Sequence, residues 1–450
     1  MIFNFNKKYN IFGIDVYILC IIFILMIFSL LGIYSAGNSS GNSLKYIYIQ
    51  FIAFFIGFIC IFVFSKINYK YYEHSYKLIY ILSLIILISV LIFGSTKRGT
   101  KGWFDFGFIS FQPVEIAKIL FILSFSSFID LNERKIKKIY FFIFSLIMFF
   151  VHLILIMMQP DFSSTLSYFP VVLILFFIIG VKSFYILCSI VFFIFLISVP
   201  FFKIIINSVL ILETFQEKII TVFTNVIFFL KTGYKIFYFI TILLFLIIYC
   251  LMFLKKNKIK VKWFYIFCLF CSMLIGCIGS IFIEKYLKDY QRKRLIVFIN
   301  PNIDSKGAGY NIIQSKITIG SGKLLGKGFM NGSQTQFGFL PEQHTDFIFS
   351  SICEEFGWVI SQLIIILYFV LIYRAFVIAK KSHDRYGYLV AIGIATMFCF
   401  YVIMNIGMAI GIMPVTGVPL LLLSYGGSSV FSSLCAIGIL CSIDINNRYY

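Results

Sequence analysis

The sequence predicts an all-α polytopic membrane protein, a bundle of transmembrane helices forming one integral membrane domain over residues 1–450. Composition is the first ground. The chain is 61% hydrophobic and 12% charged, with a mean hydropathy of +1.00, too little polar surface for a soluble domain of this length. The second is span length. Apolar runs of about 20 residues, enough to cross a hydrocarbon core of about 30 Å, recur from end to end. The third is pattern: the runs are continuous, without the ten-residue alternation of a transmembrane barrel.

Spans are expected near 14–36, 45–65, 77–94, 113–130, 139–158, 165–181, 183–203, 235–254, 263–284, 347–373, 388–411 and 419–442. The first is too long for the apolar core of a signal peptide and lacks a convincing small-residue cleavage site. The 203–284 region reads as an inserted helical hairpin. An amphipathic stretch, Lys203 to Lys231, leads into two apolar runs separated by KKNKIKVK, whose five lysines between Lys255 and Lys262 mark a cytoplasmic tip. Residues 285–346 form the large polar loop, placed outside the membrane before the last three helices.

The net charge of +20 would suggest nucleic acid in a soluble protein. Here the charge lies in loops, where it sets topology, and no nucleic-acid partner is expected. Lys7, Lys8, Lys66, Lys70, Lys77, Arg134, Lys135, Lys137, Lys138, Arg374, Lys380, Lys381 and Arg385 fall on one side if both termini are cytoplasmic. The opposite loops at 95–112 and 285–346 are nevertheless basic. Positive charge against the topological rule needs another reason, and binding an anionic group such as a lipid phosphate supplies one. The 11 cysteines and 58 phenylalanines read as apolar filling. Cys268-x-x-Cys271 lies mid-helix without a partner pair.

Five segments carry chemistry. In Ser95 to Ile119, Trp103 sits in a turn-rich interfacial loop, Pro113 opens a helix, and Glu115 and Lys118 share one face of that helix at i and i+3. Such a pair inside a membrane either faces a cavity or is mutually neutralised near the surface. In Gln159-Pro160-Asp161, Asp161 can cap the following helix; a part in the outer cavity is the weaker reading. In the long loop, seven glycines from Gly307 to Gly332 let backbone approach a ligand, and Gln314, Ser315 and Lys316 offer donors to sugar hydroxyls or phosphate. Asp304 is a lone carboxylate among cations, fit to accept a proton from an attacking hydroxyl or to hold a divalent cation; a plain turn residue is the favoured bland alternative. In Leu340 to Phe349, Glu342, His344 and Asp346 cluster before a span. Capping by Thr345 or Asp346 outweighs a metal site there. In Ile412 to Val430, Pro414, Gly417, Pro419 and Gly426-Gly427 break a helix at membrane depth, which survives only where packed or lining a cavity, and Ser424 lies in that break.

Together and in this order, GWFDFGFISFQPVEIAK, QPD, GAGYNIIQSKITIGSGKLLGKGF, GSQTQFGFLPEQHTDFIF and PVTGVPLLLLSYGGSS resemble the SEDS family (shape, elongation, division and sporulation proteins), with SKITIGSG favouring its rod-elongation branch. The resemblance covers about half the chain. It implies about ten core transmembrane helices, with the 203–284 hairpin added. It implies a peptidoglycan glycosyltransferase that polymerises lipid II at the outer face of the bacterial cytoplasmic membrane, with undecaprenyl diphosphate leaving. It implies Asp304 as the base on the acceptor 4-hydroxyl, and a substrate-binding role for Glu115 and Lys118, with Trp103, Asp161, Gln314, Ser315, Lys316, His344 and Ser424 as further candidates. Ser305 stands where the family commonly has Pro, and Gly102 where it commonly has Arg before the Trp, which puts one phosphate contact in doubt. Implied partners are lipid II, membrane lipid, a class B penicillin-binding protein transpeptidase and other elongation-complex proteins. No cofactor is assigned; a divalent cation such as Mg2+ is the one candidate. A flippase for lipid-linked precursors is the rival reading. It would bring internal symmetry and paired broken helices, and one broken region is visible. A scaffold would make Asp304 dispensable.

Overall fold

The computed structural model describes residues 10–11, 14–39, 41–97, 100–107, 110–132, 135, 138–182, 184–196, 263–286, 294, 297–298, 301–304 and 307–449. The amphipathic stretch 203–231, the 235–254 run and the Lys255–Lys262 tip lie outside the described residues. The chain forms two compact units, Met1–Val181 with Asn311–Tyr450, and Lys182–Tyr310.

In the first unit a two-residue hairpin, β1 (Asn10–Ile11) with β2 (Ile14–Asp15), leads into α1 (Val16–Asn38). Asp15 caps α1 by accepting from the Tyr17 amide and pairs with Arg374. Helices α2 (Ser43–Lys66), short α3 (Lys70–His74) and α4 (Tyr76–Phe93) follow. The segment expected as a turn-rich loop is instead a small antiparallel sheet of β3 (Ser95–Lys97), β4 (Thr100–Asp105) and β5 (Ser110–Phe111), with Ser95 opposite Trp103 and Phe104 opposite Phe111. Then come α5 (Val114–Leu131), α6 (Ile139–Met158) and α7 (Phe162–Ile179).

In the second unit, α8 (Phe184–Leu196) and α9 (Trp263–Tyr286) pack through a small face, since a Cβ at Gly276 would meet the Phe192 carbonyl at 2.7 Å. A 3-10 turn, Pro301–Asp304, precedes α10 (Ala308–Ser321). The polar loop thus holds a 14-residue helix that the sequence reading did not place. From Asn311 on the chain belongs again to the first unit, where most of α10 is followed by short α11 (Ser333–Gln336), α12 (Ile348–Lys381), α13 (Arg385–Ile410) and α14 (Gly427–Tyr449).

Eight of these helices are long and apolar enough to cross a membrane: α1, α2, α4, α6, α7, α12, α13 and α14. α5 has the length but carries Glu115, Lys118 and Asp130. The protein is a multi-pass membrane protein. Its interior is built on α13 and α14, the most enclosed spans, with α14 against α2 and α13 against α12, α7 and α5.

Two further expectations need correction. The last span starts at Gly427 rather than near 419. Pro414, Gly417 and Pro419 keep residues 412–426 non-helical. The backbone polar groups freed there are met by side chains. Asn405 donates to the Val418 carbonyl at 2.8 Å, Tyr368 to Leu421, Ser29 to Leu423 at 2.9 Å, and Gln50 to Ser424 at 3.1 Å, while the Gly426 amide donates to Gln50. Nor does Thr345 or Asp346 cap α12. Its N-cap is Phe347, without a side-chain bond. Thr345 Oγ1 turns back to Glu342, and the Asp346 carbonyl accepts from Asn405.

Candidate active site

The 18 residues of α5 place two opposite charges one turn apart on the face turned toward α13. Lys118 Nζ lies 2.6 Å from Glu115 Oε1, with both residues buried. Two charges inside a membrane protein survive only when paired and hydrogen-bonded. The third partner comes from α13: Tyr401, which the sequence reading missed. Its hydroxyl accepts from Lys118 Nζ and stands 3.3 Å from each Glu115 carboxylate oxygen. The ammonium lies 4.7 Å from the Tyr401 ring centroid. The available signal was spacing. Tyr401 and Asn405 are polar groups one turn apart in the apolar C-terminal half of α13.

Beside this triad, Asp161 caps α7 as expected. It accepts from the Ser164 amide and from the Ser163 and Ser164 hydroxyls, and Gln112, just before α5, donates to its second oxygen at 2.8 Å. That bond ties the start of α5 to the start of α7. Trp103 is half-buried on β4, its carbonyl held by Ser95. Lys101, one of the basic residues of this segment, donates to the Leu91 carbonyl at 2.7 Å near the end of α4.

The remaining candidates of the first unit divide between framework and surface. Ser315 is buried, bonded to Ser350 and to the Ala409 carbonyl. Ser424 is buried, donating to the Thr345 carbonyl and accepting from the Leu420 amide. Both join elements. His344 stacks on Tyr46 at 4.6 Å between ring centroids, with Tyr425 at 5.7 Å. Lys316 is exposed on α10, its aliphatic end lying over Gly411. Gln314 is half-buried, with an Oε1 that has no hydrogen-bond partner.

Asp304 belongs to the second unit. It ends the 3-10 turn, half-buried, and its carbonyl accepts from the Gly307 amide at 3.1 Å. The glycines that follow sit in close contact with this turn. A Cβ at Gly307 would fall on both Asp304 carboxylate oxygens, and one at Gly309 on the Pro301 carbonyl. Gly322, Gly326 and Gly332 serve close approach as well, but to protein. A Cβ at Gly322 would strike the Cys353 carbonyl, one at Gly326 that of Glu355, and one at Gly332 the Glu354 carboxylate. Here α12 breaks at Gly357, φ 78, and Trp358 and Val359 donate to the Lys323 and Leu324 carbonyls. Glu354, which the sequence reading passed over, gathers this loop. It pairs with Lys327 at 2.6 Å and accepts from the Gln334 and Thr335 amides.

Among the described residues no three His, Cys, Asp or Glu side chains converge as a metal centre would require, and Glu342, His344 and Asp346 do not form one.

A profile of the cell cycle protein family of FtsW, RodA and SpoVE matches residues 11–240 and 238–449. The chain is 32% identical to "Peptidoglycan glycosyltransferase RodA" of Treponema pallidum, over 92% of this chain and 94% of that protein. It is 31% identical to "Peptidoglycan glycosyltransferase MrdB" of Escherichia coli K12, over 99% and 98%. Among solved structures, its fold matches a chain from a study of polymerization and crosslinking by a peptidoglycan synthase complex, with TM-score 0.61, 21% identity and coverage of 97% and 99%. It also matches the rod shape determining protein RodA of Thermus thermophilus, with TM-score 0.57, 20% identity and coverage of 97% and 98%. With two relatives above 30% identity along almost their whole length, and the family profile spanning nearly every residue, this chain belongs to the FtsW, RodA and SpoVE family, the SEDS proteins.

Proposed function

We propose that this protein is a peptidoglycan glycosyltransferase that polymerises lipid II into glycan strands during cell elongation. The observation that carries the reading is the full-length likeness to two relatives named peptidoglycan glycosyltransferases. The site residues are consistent with the chemistry. Asp304 takes the proton from the acceptor sugar 4-hydroxyl as that oxygen attacks the donor's anomeric carbon from the face opposite the diphosphate. The carbon–oxygen bond to the diphosphate breaks, the anomeric centre inverts, and undecaprenyl diphosphate leaves with the electron pair. The leaving group gains negative charge as the bond breaks, so a cation at that point stabilises the transition state. Lys118 is the proposed cation, and Glu115 holds it in place before substrate arrives. A role for a divalent cation such as Mg2+ on the leaving diphosphate remains part of the proposal, without assigned ligands.

The protein works at the outer face of the bacterial cytoplasmic membrane with both termini inside, a reading supported by the lysines and arginines of the alternate loops. Its partner is a class B penicillin-binding protein transpeptidase. In support, the solved neighbour comes from a complex that couples polymerization to crosslinking.

The test is purified protein with fluorescent lipid II, resolved as a glycan ladder on a gel. Wild type is expected to make polymer. Asp304→Asn, a change in a half-buried loop carboxylate, should lose about 10²–10⁴-fold in rate while inserting normally. Near-normal turnover by that variant would refute Asp304 as the base. Transport of lipid II across sealed vesicles without polymer would favour a flippase.

A further inference from the structure

The buried pair on α5 sets a problem that its two members cannot solve alone. For Lys118 to bind a diphosphate, it must loosen its bond to Glu115. That would strand a carboxylate away from water, and an unpaired buried charge is strongly unfavourable. Tyr401 has the geometry to prevent this. A tyrosine hydroxyl carries one proton and can also accept. Its oxygen accepts from Lys118, and its proton is within reach of both Glu115 oxygens, 3.3 Å away in each case. The hydroxyl can therefore keep donating to Glu115 after Lys118 turns away. Lys118 also lines a small cavity together with Ser167, Tyr168 and Met397.

We propose that Tyr401 is a positioning residue that holds Glu115 while Lys118 exchanges that carboxylate for the diphosphate of the lipid-linked donor. The inference rests on the reading of Lys118 as the diphosphate's cation. It makes Lys118 an exchangeable ion-pair partner instead of a fixed one, and it predicts where loss of the hydroxyl is felt. Without it, Lys118 stays on Glu115, so donor binding suffers more than the chemical step.

The experiment is a double-mutant cycle in full-length protein reconstituted in liposomes, with KM for lipid II and kcat measured separately. Tyr401→Phe keeps the ring and the packing. It is expected to raise KM by about tenfold, in the range for loss of a hydrogen bond to a charged group, with kcat changed much less. Glu115→Gln removes the charge that needs holding, so adding Tyr401→Phe to it should change KM by less than about twofold. Thermal melts of all four proteins check folding. An equal KM increase in both backgrounds, or none in either, would overturn the proposal, because a packing role does not depend on the Glu115 charge. Lys118→Ala separates the two readings. If its KM is normal, the assignment of Lys118 fails and this inference with it. If Lys118→Ala is impaired while Tyr401→Phe is normal, only the role of Tyr401 fails.

Discussion

The proposed base is placed by residues that do no chemistry themselves. A methyl group at Gly307 would meet the Asp304 carboxylate itself, and one at Gly309 the Pro301 carbonyl. At Gly309 the obstacle is a backbone carbonyl, which cannot swing aside as a flexible side chain would. Gly309→Ala should therefore move the 3-10 turn and Asp304 with it. A displacement of about 1 Å can cost about 100-fold in rate, so glycan synthesis should fall by that order while membrane insertion, followed by detergent-extracted yield, stays normal. Full activity would mean the turn tolerates the shift. A matched pair of lysines tests the cation. Lys118 is buried beside Glu115, whereas Lys138 is an exposed residue before α6. Lys118→Ala should reduce polymerisation by at least about tenfold, as expected for loss of a charged hydrogen bond, and Lys138→Ala should change it little. Equal small effects from both would reduce the pair on α5 to a structural one. The i, i+3 spacing made Glu115 and Lys118 legible in the sequence. Tyr401 was not, because it meets them across 283 residues of chain, and no local pattern records that.

Helices were legible where length and hydropathy alone decide them. α6 runs from Ile139 to Met158, the expected bounds, because Lys138 and Gln159 flank an unbroken apolar run. Legibility failed where backbone is satisfied by distant side chains. Proline and glycine announce the break before α14, but not that Gln50, Asn405 and Tyr368 supply its missing partners. Those residues lie on α2, α13 and α12 and read as isolated polar residues in apolar helices. Gln50 is fully buried and serves three partners, Ser29, the Ser424 carbonyl and the Gly426 amide. Gln50→Leu would leave the last two unpaired at a cost of about 2 kcal/mol, between the aqueous and membrane values for such bonds. The midpoint of thermal unfolding in detergent should drop by a few degrees. Phe51→Leu, one residue along but 52% exposed on the lipid-facing side of α2, should leave it nearly unchanged. If the two variants melt alike, the broken segment does not depend on Gln50.

At the scale of the whole molecule, topology ties the two termini to the face on which the substrate must be met. On the proposed reading the Asp304 loop meets a lipid-linked sugar outside, so any crossings added between α7 and that loop, beyond the ten-helix core that the resemblance implies, must be even in number. The sequence supplies this parity through the 235–254 and 263–284 runs. α9, Trp263–Tyr286, is the described half of that pair, and the other half and its tip lie outside the described residues. Each run is about 20 residues long, enough to span, and five lysines between Lys255 and Lys262 are costly to translocate. The tip should therefore be cytoplasmic. Lys258→Cys, in a protein freed of its native cysteines, should resist an impermeant maleimide added to intact cells and react once the cells are opened. A cysteine placed at Lys316, exposed on α10, should react in intact cells and so act as the positive control. Strong labelling at position 258 from outside would remove the hairpin from the membrane, and the Asp304 loop could then reach the outer face only through a different set of crossings.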